Sequence, residues 1–372
     1  MVSKKVAIVH DYLIARGGAE RVVEEIAKIF PDAPIYTGMY DPKNFRGTAL
    51  ENRKIITGSA VTNGILSAAP KQLTFLMPTV FESFDLSKYD IVISSSSSYA
   101  KGVLTKPHQL HICYIHTPPR FLYGYSVEST ERNAWYYKPF VSYIDHYLRI
   151  WDFLAAQRPD LLITNSQNVR KRIQKFYRRD AAVIYPPISA HPTVSQIEDT
   201  FQKPYYIAVG RLSRYKNFDL LVETFNLLDM RLVIVGNGRE EKKLRHMAGK
   251  NVQIVGNAND QKRDELMTNS LGLIFPVEEE DFGIILVEAI AMGKPVLAHA
   301  SGGALEIVKD GENGMFFEKA NTECLIEKLK DFDQKIRGRE FDEAQIKQTA
   351  LKFTDRDFKK EFEDFVCRNY QK

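Results

Sequence analysis

The residues with the most chemical potential in this 372-residue chain lie between Gly210 and Glu288. Gly210-Arg211-Leu212-Ser213-Arg214-Tyr215-Lys216-Asn217 puts three cations between an apolar run, Tyr205–Val209, and a helical pattern, Phe218–Leu228. Free backbone N–H groups at a helix start, with Arg211, Arg214 and Lys216 beside them, suit a diphosphate. A solvated basic turn has the same composition. Val235-Gly236-Asn237-Gly238 is a second strand-to-loop junction, where glycine lets backbone approach a ligand. The full G-x-G-x-x-G pattern is absent, because Glu241 stands where its last glycine would fall. A third segment carries Glu278, Glu279, Glu280, Asp281, Phe282 and Gly283, then a helical pattern Ile284–Met292 containing Glu288. A sharp turn at Gly283 would bring Glu280 and Glu288 to one helix N-terminus, where carboxylates accept from paired sugar hydroxyls. The N–H groups from Phe282 through Ile284 and Ile285 would face phosphate or hexose.

The first half has sparser chemistry. His10-Asp11-Tyr12 follows the run Val6–Val9, and Gly17-Gly18 precedes a helical stripe of Val22, Val23, Ile26, Ile29 and Phe30. Asp11, Gly17 and Gly18 are expected to form a loop for phosphate or acceptor. His116-Thr117-Pro118-Pro119-Arg120 follows the run His111–Ile115, which puts His116 at the carboxyl end of a parallel strand, where such sheets bind ligands. Asn165-Ser166 is a similar junction.

Alternating elements must position these groups. Short apolar runs (Val6–Val9, Ile91–Ile93, His111–Ile115, Leu161–Thr164, Val183–Tyr185) alternate with amphipathic helical patterns. After a break, Tyr205–Val209, Leu232–Val235, Val252–Val255, Leu273–Phe275, Pro295–Ala298 and Met315–Phe317 repeat the arrangement. Such alternation predicts parallel sheets covered by helices. The break, rich in proline and polar residues, divides the chain into an N-terminal acceptor-side domain at 1–190, a linker at 191–204 and a donor domain at 205–353. The segment 354–372, with Phe358, Phe362 and Phe365 at helical spacing, is expected to return as a helix to the N-terminal domain.

Composition narrows the classes. With 44% apolar and 26% charged residues the chain is globular, and its length suits two cores rather than one. No apolar run approaches the roughly 20 residues of a membrane helix, and Val6–Val9 is too short for a signal-peptide core. Cys113, Cys324 and Cys367 lack metal-ligand or disulfide spacing, which suits a reducing cytoplasm. The formal charge of +4 does not call for nucleic acid. Eleven of the 33 positions from Phe121 to Phe153 are aromatic, and six of ten from Arg170 to Arg179 are Lys or Arg. The aromatic stretch, with the apolar run Leu73–Leu86, predicts an acceptor cradle, an interdomain contact or a membrane-interface surface, and the basic run predicts peripheral contact with an anionic membrane. A solvated helix face with a core stripe fits the basic run equally well.

Taken in order, Gly-Arg-Leu-x-x-x-Lys-Asn, Val-Gly-Asn-Gly, Glu-x-Phe-Gly with Glu288 beyond it, and Gly-x-Pro-Val-x-Ala resemble the donor domain of the retaining glycosyltransferases of family four. The resemblance implies the GT-B fold, α/β with two Rossmann-like domains facing each other across a cleft. It implies that Arg211 and Lys216 hold the donor diphosphate, Glu280 the hexose hydroxyls and Glu288 the ribose. Gly256, Asn257 and Ala258 would lie near the nucleobase, Gly210, Gly236 and the loop from Asp281 to Ile285 would line the donor, and His116 would stand beside the transferring sugar. Ile284-Ile285 departs from the Leu-Pro common at those positions. Leu110–Pro118, Val9–Leu13 and Gly17–Arg21 resemble a bacterial branch that includes O-antigen mannosyltransferases of the WbaZ type. That likeness implies GDP-mannose as donor, a glycan or lipid-linked glycan as acceptor in polysaccharide or lipopolysaccharide synthesis, and a cytoplasmic location at the inner face of the membrane. No metal is expected, and the Asp331/Asp333 and Asp355/Asp357 pairs read as solvated helix faces. A GT-B nucleotide-sugar epimerase and a non-catalytic nucleotide-sugar-binding module remain alternatives. Nucleic acid is not an expected partner, because Glu278–Asp281 would repel it.

Overall fold

A computed structural model describes residues 4–58, 74–125, 138–188, 204–354 and 357–370. In chain order the first elements are β1 (Val6–His10), α1 (Gly18–Ile29), β2 (Ile35–Thr37), β3 (Ile55–Thr57), α2 (Met77–Glu82), β4 (Ile91–Ser96), β5 (Leu110–Ile115), α3 (Lys138–Ala155), β6 (Leu161–Thr164), α4 (Gln167–Tyr177) and β7 (Ala182–Val183). Then come β8 (Tyr206–Val209), α5 (Phe218–Asn226), β9 (Leu232–Val235), α6 (Glu241–Met247), β10 (Val252–Gly256), α7 (Asp260–Thr268), β11 (Leu273–Phe275), α8 (Ile284–Ala291), β12 (Val296–His299), α9 (Ala304–Ile307), β13 (Gly314–Phe317), α10 (Thr322–Arg337), α11 (Glu343–Thr354) and α12 (Phe358–Tyr370). The described residues fall into two compact units. One runs to Pro187 and includes the tail from Asp357; the other begins at Ile188 and ends with α11. The expected linker lies outside the described residues, except Pro204.

In the first unit the strands run in the order β3-β2-β1-β4-β5-β6-β7, and every pair is parallel. Strand periodicity sends Ile8 to one face and Ala7 and Val9 to the other. On the Ile8 face α1 buries Val22, Val23 and Ile26 against Ile35, Ile93 and Ile112, and α12 adds Phe358, Phe362 and Val366. Phe365, grouped with the first two by spacing, is only partly buried at the edge of this cluster. On the other face Val80 and Phe81 of α2 join Leu148 and Trp151 of α3. The sequence pattern missed β2 and β3. Each is three residues long, too short to display a period, and each is set by pairing with β1 or its neighbour.

The second unit has the order β10-β9-β8-β11-β12-β13, again parallel. Its core packs Leu221 and Phe225 of α5, Leu325, Leu329 and Phe332 of α10, and the strand residues Ala208, Ile234 and Leu297. In both sheets the order reverses direction beside the first strand of the unit: between β1 and β4, and between β8 and β11. Doubly wound sheets bind ligands at such switch points, outside the carboxyl ends of the strands.

Candidate active site

The loops at the carboxyl end of the second sheet are stitched together by backbone. Gly210 N–H donates to Val235 O at 3.0 Å, Leu212 N–H to Asn237 O at 2.8 Å, and Gly236 N–H to Gly256 O at 2.9 Å. Gly236 has φ 147°, and a Cβ there would sit 1.9 Å from the Gly210 carbonyl oxygen, so the approach of these two loops requires glycine. Buried Leu212 anchors the first loop, leaving Arg211 exposed. A turn at Arg214–Lys216 ends on Asn217, whose amide donates to Glu278 Oε1 at 3.0 Å and Pro276 O at 3.3 Å across the switch point.

That crossing brings Lys216 Nζ into an ion pair with Glu280 Oε2. Burial works against the Lys216 ammonium, but the Glu280 carboxylate outweighs it and holds the lysine above its ordinary value. The acidic loop is braced from β12: Ser301 Oγ accepts from Glu279 N–H at 2.9 Å and contacts His299 Nδ1 at 2.8 Å, and Gly303 N–H donates to Glu280 O at 2.8 Å. Glu279 takes the left-handed conformation with φ 54°, and Gly283 with φ 98° opens α8. Ile284 and Ile285 form the first turn of α8, while Phe282 is buried edge-to-face with Phe353, their ring centroids 5.7 Å apart. The bracing segment Ser301-Gly302-Gly303 went unread in the sequence. Its signal was the glycine pair, where a Cβ on either residue would strike the backbone of Glu280 or Phe282.

Glu288, in the second turn of α8, is buried, with Arg263 Nη2 of α7 3.9 Å from its Oε1. Burial disfavours the Arg263 charge, yet Glu288 and Asp264 raise its pKa. Gly256 ends β10, and Asn257 and Ala258 turn towards α7, which Asn259 caps by accepting from Lys262 N–H at 2.8 Å. Arg263 escaped the sequence reading because its buried partner is 25 positions away, beyond any helical repeat.

In the first unit Asp11 has a structural task. Its carboxylate accepts from the N–H groups of Ser97, Ser98, Tyr99 and Ala100 at 2.5, 2.8, 2.8 and 2.6 Å. Asp11 thus occupies the anion position of the loop after β4, a scaffolding contact that stands beside the phosphate or acceptor role expected of its loop. Gly17 and Gly18 do stand at the start of α1, where Gly17 N–H donates to Glu20 Oε2 at 2.8 Å. Glu20 Oε1 lies 3.6 Å from His10 Nε2. His10 Nδ1 reaches Ser95 O at 3.0 Å and Ser95 Oγ at 3.2 Å, and Ser95 Oγ reaches His116 Nε2 at 2.7 Å. Burial lowers the His10 pKa, but Glu20, Asp11 and the Ser95 carbonyl together raise it above the ordinary histidine value. Burial, then the neighbouring His10 charge, push His116 down to about 4. Asn165 donates to the His116 carbonyl at 3.0 Å and Ser166 caps α4, so this junction is local scaffolding.

Two further expectations change. Asp333 is not solvated: it accepts from the Tyr206 hydroxyl at 2.7 Å and from Arg337 at 2.7 Å, and is buried. Asp355 lies outside the described residues, and Asp357 Oδ1 accepts from Lys360 N–H in the first turn of α12. Among the described residues no group of three or more His, Cys, Asp or Glu side chains is arranged to hold a metal ion. Of the six cations from Arg170 to Arg179, two turn inward and one pairs at the surface. Arg170 pairs with Asp180, Arg172 is buried over the Tyr125 ring, and Arg179 donates to the carbonyls of Ala156, Pro159 and Asp160. Lys171, Lys175 and Arg178 remain exposed. The wider apolar exposure is on α3, where Tyr143, Tyr147, Ile150 and Leu154 share a face. Residues 126–137 of the aromatic stretch and Leu73 of the apolar run lie outside the described residues, and no described helix is long and apolar enough to cross a membrane.

Comparison with known proteins agrees with this architecture. Residues 16–191 match the family model "Glycosyltransferase Family 4", and residues 192–348 match "Glycosyl transferases group 1". An uncharacterized glycosyltransferase of Methanocaldococcus jannaschii is 28% identical over 179 residues, 47% of this chain and 50% of its own, so the match spans half the length of that relative. The alpha-1,3/1,6-mannosyltransferase alg2 of Schizosaccharomyces pombe is 24% identical over 83% of this chain and 70% of its own. The crystal structure of Anabaena HepE in complex with UDP and glucose superposes with a TM-score of 0.72 at 18% identity, covering 98% of this chain and all of that one. The chain thus has the GT-B fold, its first half matching the family 4 model and its second half the group 1 model.

Proposed function

We propose that this chain transfers a hexose, mannose from GDP-mannose, to a glycan or lipid-linked glycan acceptor in bacterial polysaccharide synthesis, with retention of the anomeric configuration. The observation that carries the reading is the Lys216–Glu280 pair at the switch point of the second sheet, beside exposed Arg211. A diphosphate sugar offers phosphate oxygens to Lys216 and Arg211 and hydroxyls to Glu280, so each member of the pair gains a ligand partner. As the bond from the anomeric carbon to the diphosphate breaks, its electron pair passes to the phosphate oxygen. The cations stabilise the charge that grows there. The acceptor hydroxyl attacks the same face, forming the new C–O bond, and its proton goes to the departing diphosphate. No metal is needed in this scheme. Glu288 with Arg263 holds the ribose, and the turn at 256–258 meets the base. The mannose assignment draws support from the alg2 relative.

A thermal-shift screen of nucleotide sugars tests the donor, since a ligand bound only to the folded state stabilises it by mass action. GDP-mannose is expected to give the largest shift; a response to UDP-sugars alone overturns the donor. A β-linked product from the α-linked donor overturns retention, and activity abolished by EDTA and restored by Mg²⁺ overturns the metal-free scheme. The protein works in the cytoplasm and rests on the anionic inner face of the membrane through the Tyr143, Tyr147, Ile150 and Leu154 face of α3, aided by Lys171, Lys175 and Arg178. Tyr147→Glu with Ile150→Glu is expected to abolish liposome flotation; unchanged flotation removes this contact.

A further inference from the structure

The ends of β1, β4 and β5 bring four side chains into one chain of contacts, Glu20–His10–Ser95–His116, and hydrogen counting decides where its protons sit. The Ser95 carbonyl can only accept, so the hydrogen of the 3.0 Å contact lies on His10 Nδ1. The other ring nitrogen, Nε2, faces the Glu20 carboxylate at 3.6 Å, which favours a proton there too and makes His10 an imidazolium. Both His10 nitrogens then donate. Ser95 Oγ, 3.2 Å from His10 Nδ1, can only accept on that side. Ser95 is fully buried, and its own hydroxyl hydrogen is directed to His116 Nε2 at 2.7 Å. His116 Nε2 must therefore carry a lone pair.

We infer that Ser95 is a positioning residue: it fixes His116 as the neutral tautomer with hydrogen on Nδ1, under the direction of the Glu20–His10 pair. The consequence concerns the reaction class proposed above and rests on it. A His116 whose Nε2 is engaged and whose Nδ1 carries hydrogen offers the substrate a donor and not a base. It would hold a sugar hydroxyl or phosphate oxygen, leaving the acceptor proton to the departing diphosphate. Burial of His116 and the adjacent positive His10 keep its ring neutral at physiological pH. The charged and titratable groups facing it are His10 at the end of β1, Asp11 after it, Glu20 of α1 and Tyr114 of β5, whose ring centroid is 5.1 Å away, and Asp11 is occupied by the 97–100 loop.

The test is ¹⁵N NMR of the full chain labelled at histidine, with the His116 signals identified by their absence in His116→Gln. The wild type is expected to show a protonated Nδ1 and an unprotonated Nε2 from pH 6 to 8. Ser95→Ala should lose that fixed pattern, Ser95→Thr, which keeps a hydroxyl, should restore it, and Glu20→Gln should weaken it by discharging His10. A wild-type His116 with hydrogen on Nε2, or a pattern unchanged in Ser95→Ala, overturns the inference. Turnover supplies a second readout: Ser95→Ala is expected to lower kcat about tenfold with little change in KM, with recovery in Ser95→Thr. The NMR result stands whether or not sugar transfer is found. A failed tautomer assignment with intact transfer rejects this inference alone, and a confirmed tautomer without transfer rejects only the reaction.

Discussion

At the crossover of the first sheet, between β1 and β4, the anion belongs to the protein. Asp11 occupies four consecutive backbone N–H groups, and beside it Glu20 neutralises His10. At the crossover of the second sheet, between β8 and β11, the protein sets a lysine against a glutamate, both partly open to solvent, at 13% and 18% exposure. The strand order is the same, but the uses differ. A switch point furnished with an internal carboxylate is closed to external anions, so the ligand role proposed for the first unit falls to the flanking strand end at His116 and the glycines at the start of α1. A switch point holding an accessible ion pair can exchange that pair for ligand contacts.

The largest effect expected from breaking this contrast is structural. Asp11→Ala strands four N–H groups in the first unit and should cost about 3–5 kcal/mol, read as a lower urea midpoint. A loss below about 1 kcal/mol would mean that water replaces the carboxylate, and the two crossovers would then be alike. The counterpart in the second unit should act on rate and not on folding. Glu280→Ala is expected to lower kcat roughly 10²-fold, with a stability change below about 1 kcal/mol because the pair is partly exposed. A variant that unfolds with no specific rate defect would show the second crossover to be scaffold like the first.

Acid separates the units next. Burial pushes His111 down to about 3 and His116 to about 4. Below the unfolded histidine value of roughly 6.5, the unfolded chain binds protons that these two folded rings refuse. Stability supplied by the neutral rings is therefore present above about pH 6.5 and is lost as pH falls towards 4. His10, raised by Glu20, works the other way: its contribution is full at low pH and fades as pH rises through its folded value. The net loss between pH 7 and 5 should be about 2 kcal/mol, and His116→Gln should flatten the slope. An unchanged slope would mean that His116 protonates without cost. The smallest effect is expected at Arg263→Ala, about 1 kcal/mol or less, with donor affinity changing more than stability. Measuring the nucleotide-sugar Kd checks whether the Glu288 pairing sharpens the donor side.

Much of the fold was legible because burial on both faces of a parallel sheet writes dense apolar runs into the chain. Leu232–Val235 and Leu273–Phe275 coincide with β9 and β11. The motif loops were legible for a related reason: glycine at Gly236 and Gly283 is demanded by local backbone geometry, and a local demand leaves a local mark. Arg172 shows the opposite case. Nothing in a run of six cations tells which one will turn under the Tyr125 ring, because the ring comes from another element.

The sequence by itself determined two parallel-sheet units, the order of their loops and the kinds of group available at Gly210–Glu288. Local periodicity and turn chemistry act over a few residues and can be read there. Only the tertiary structure decided the partners. Lys216 meets Glu280 because the strand order brings β8 beside β11, Asp11 meets the 97–100 loop because β1 lies beside β4, and α12 closes against α1 from the far end of the chain. These contacts join residues 64 positions or more apart, and their energy depends on topology that no short window of sequence contains.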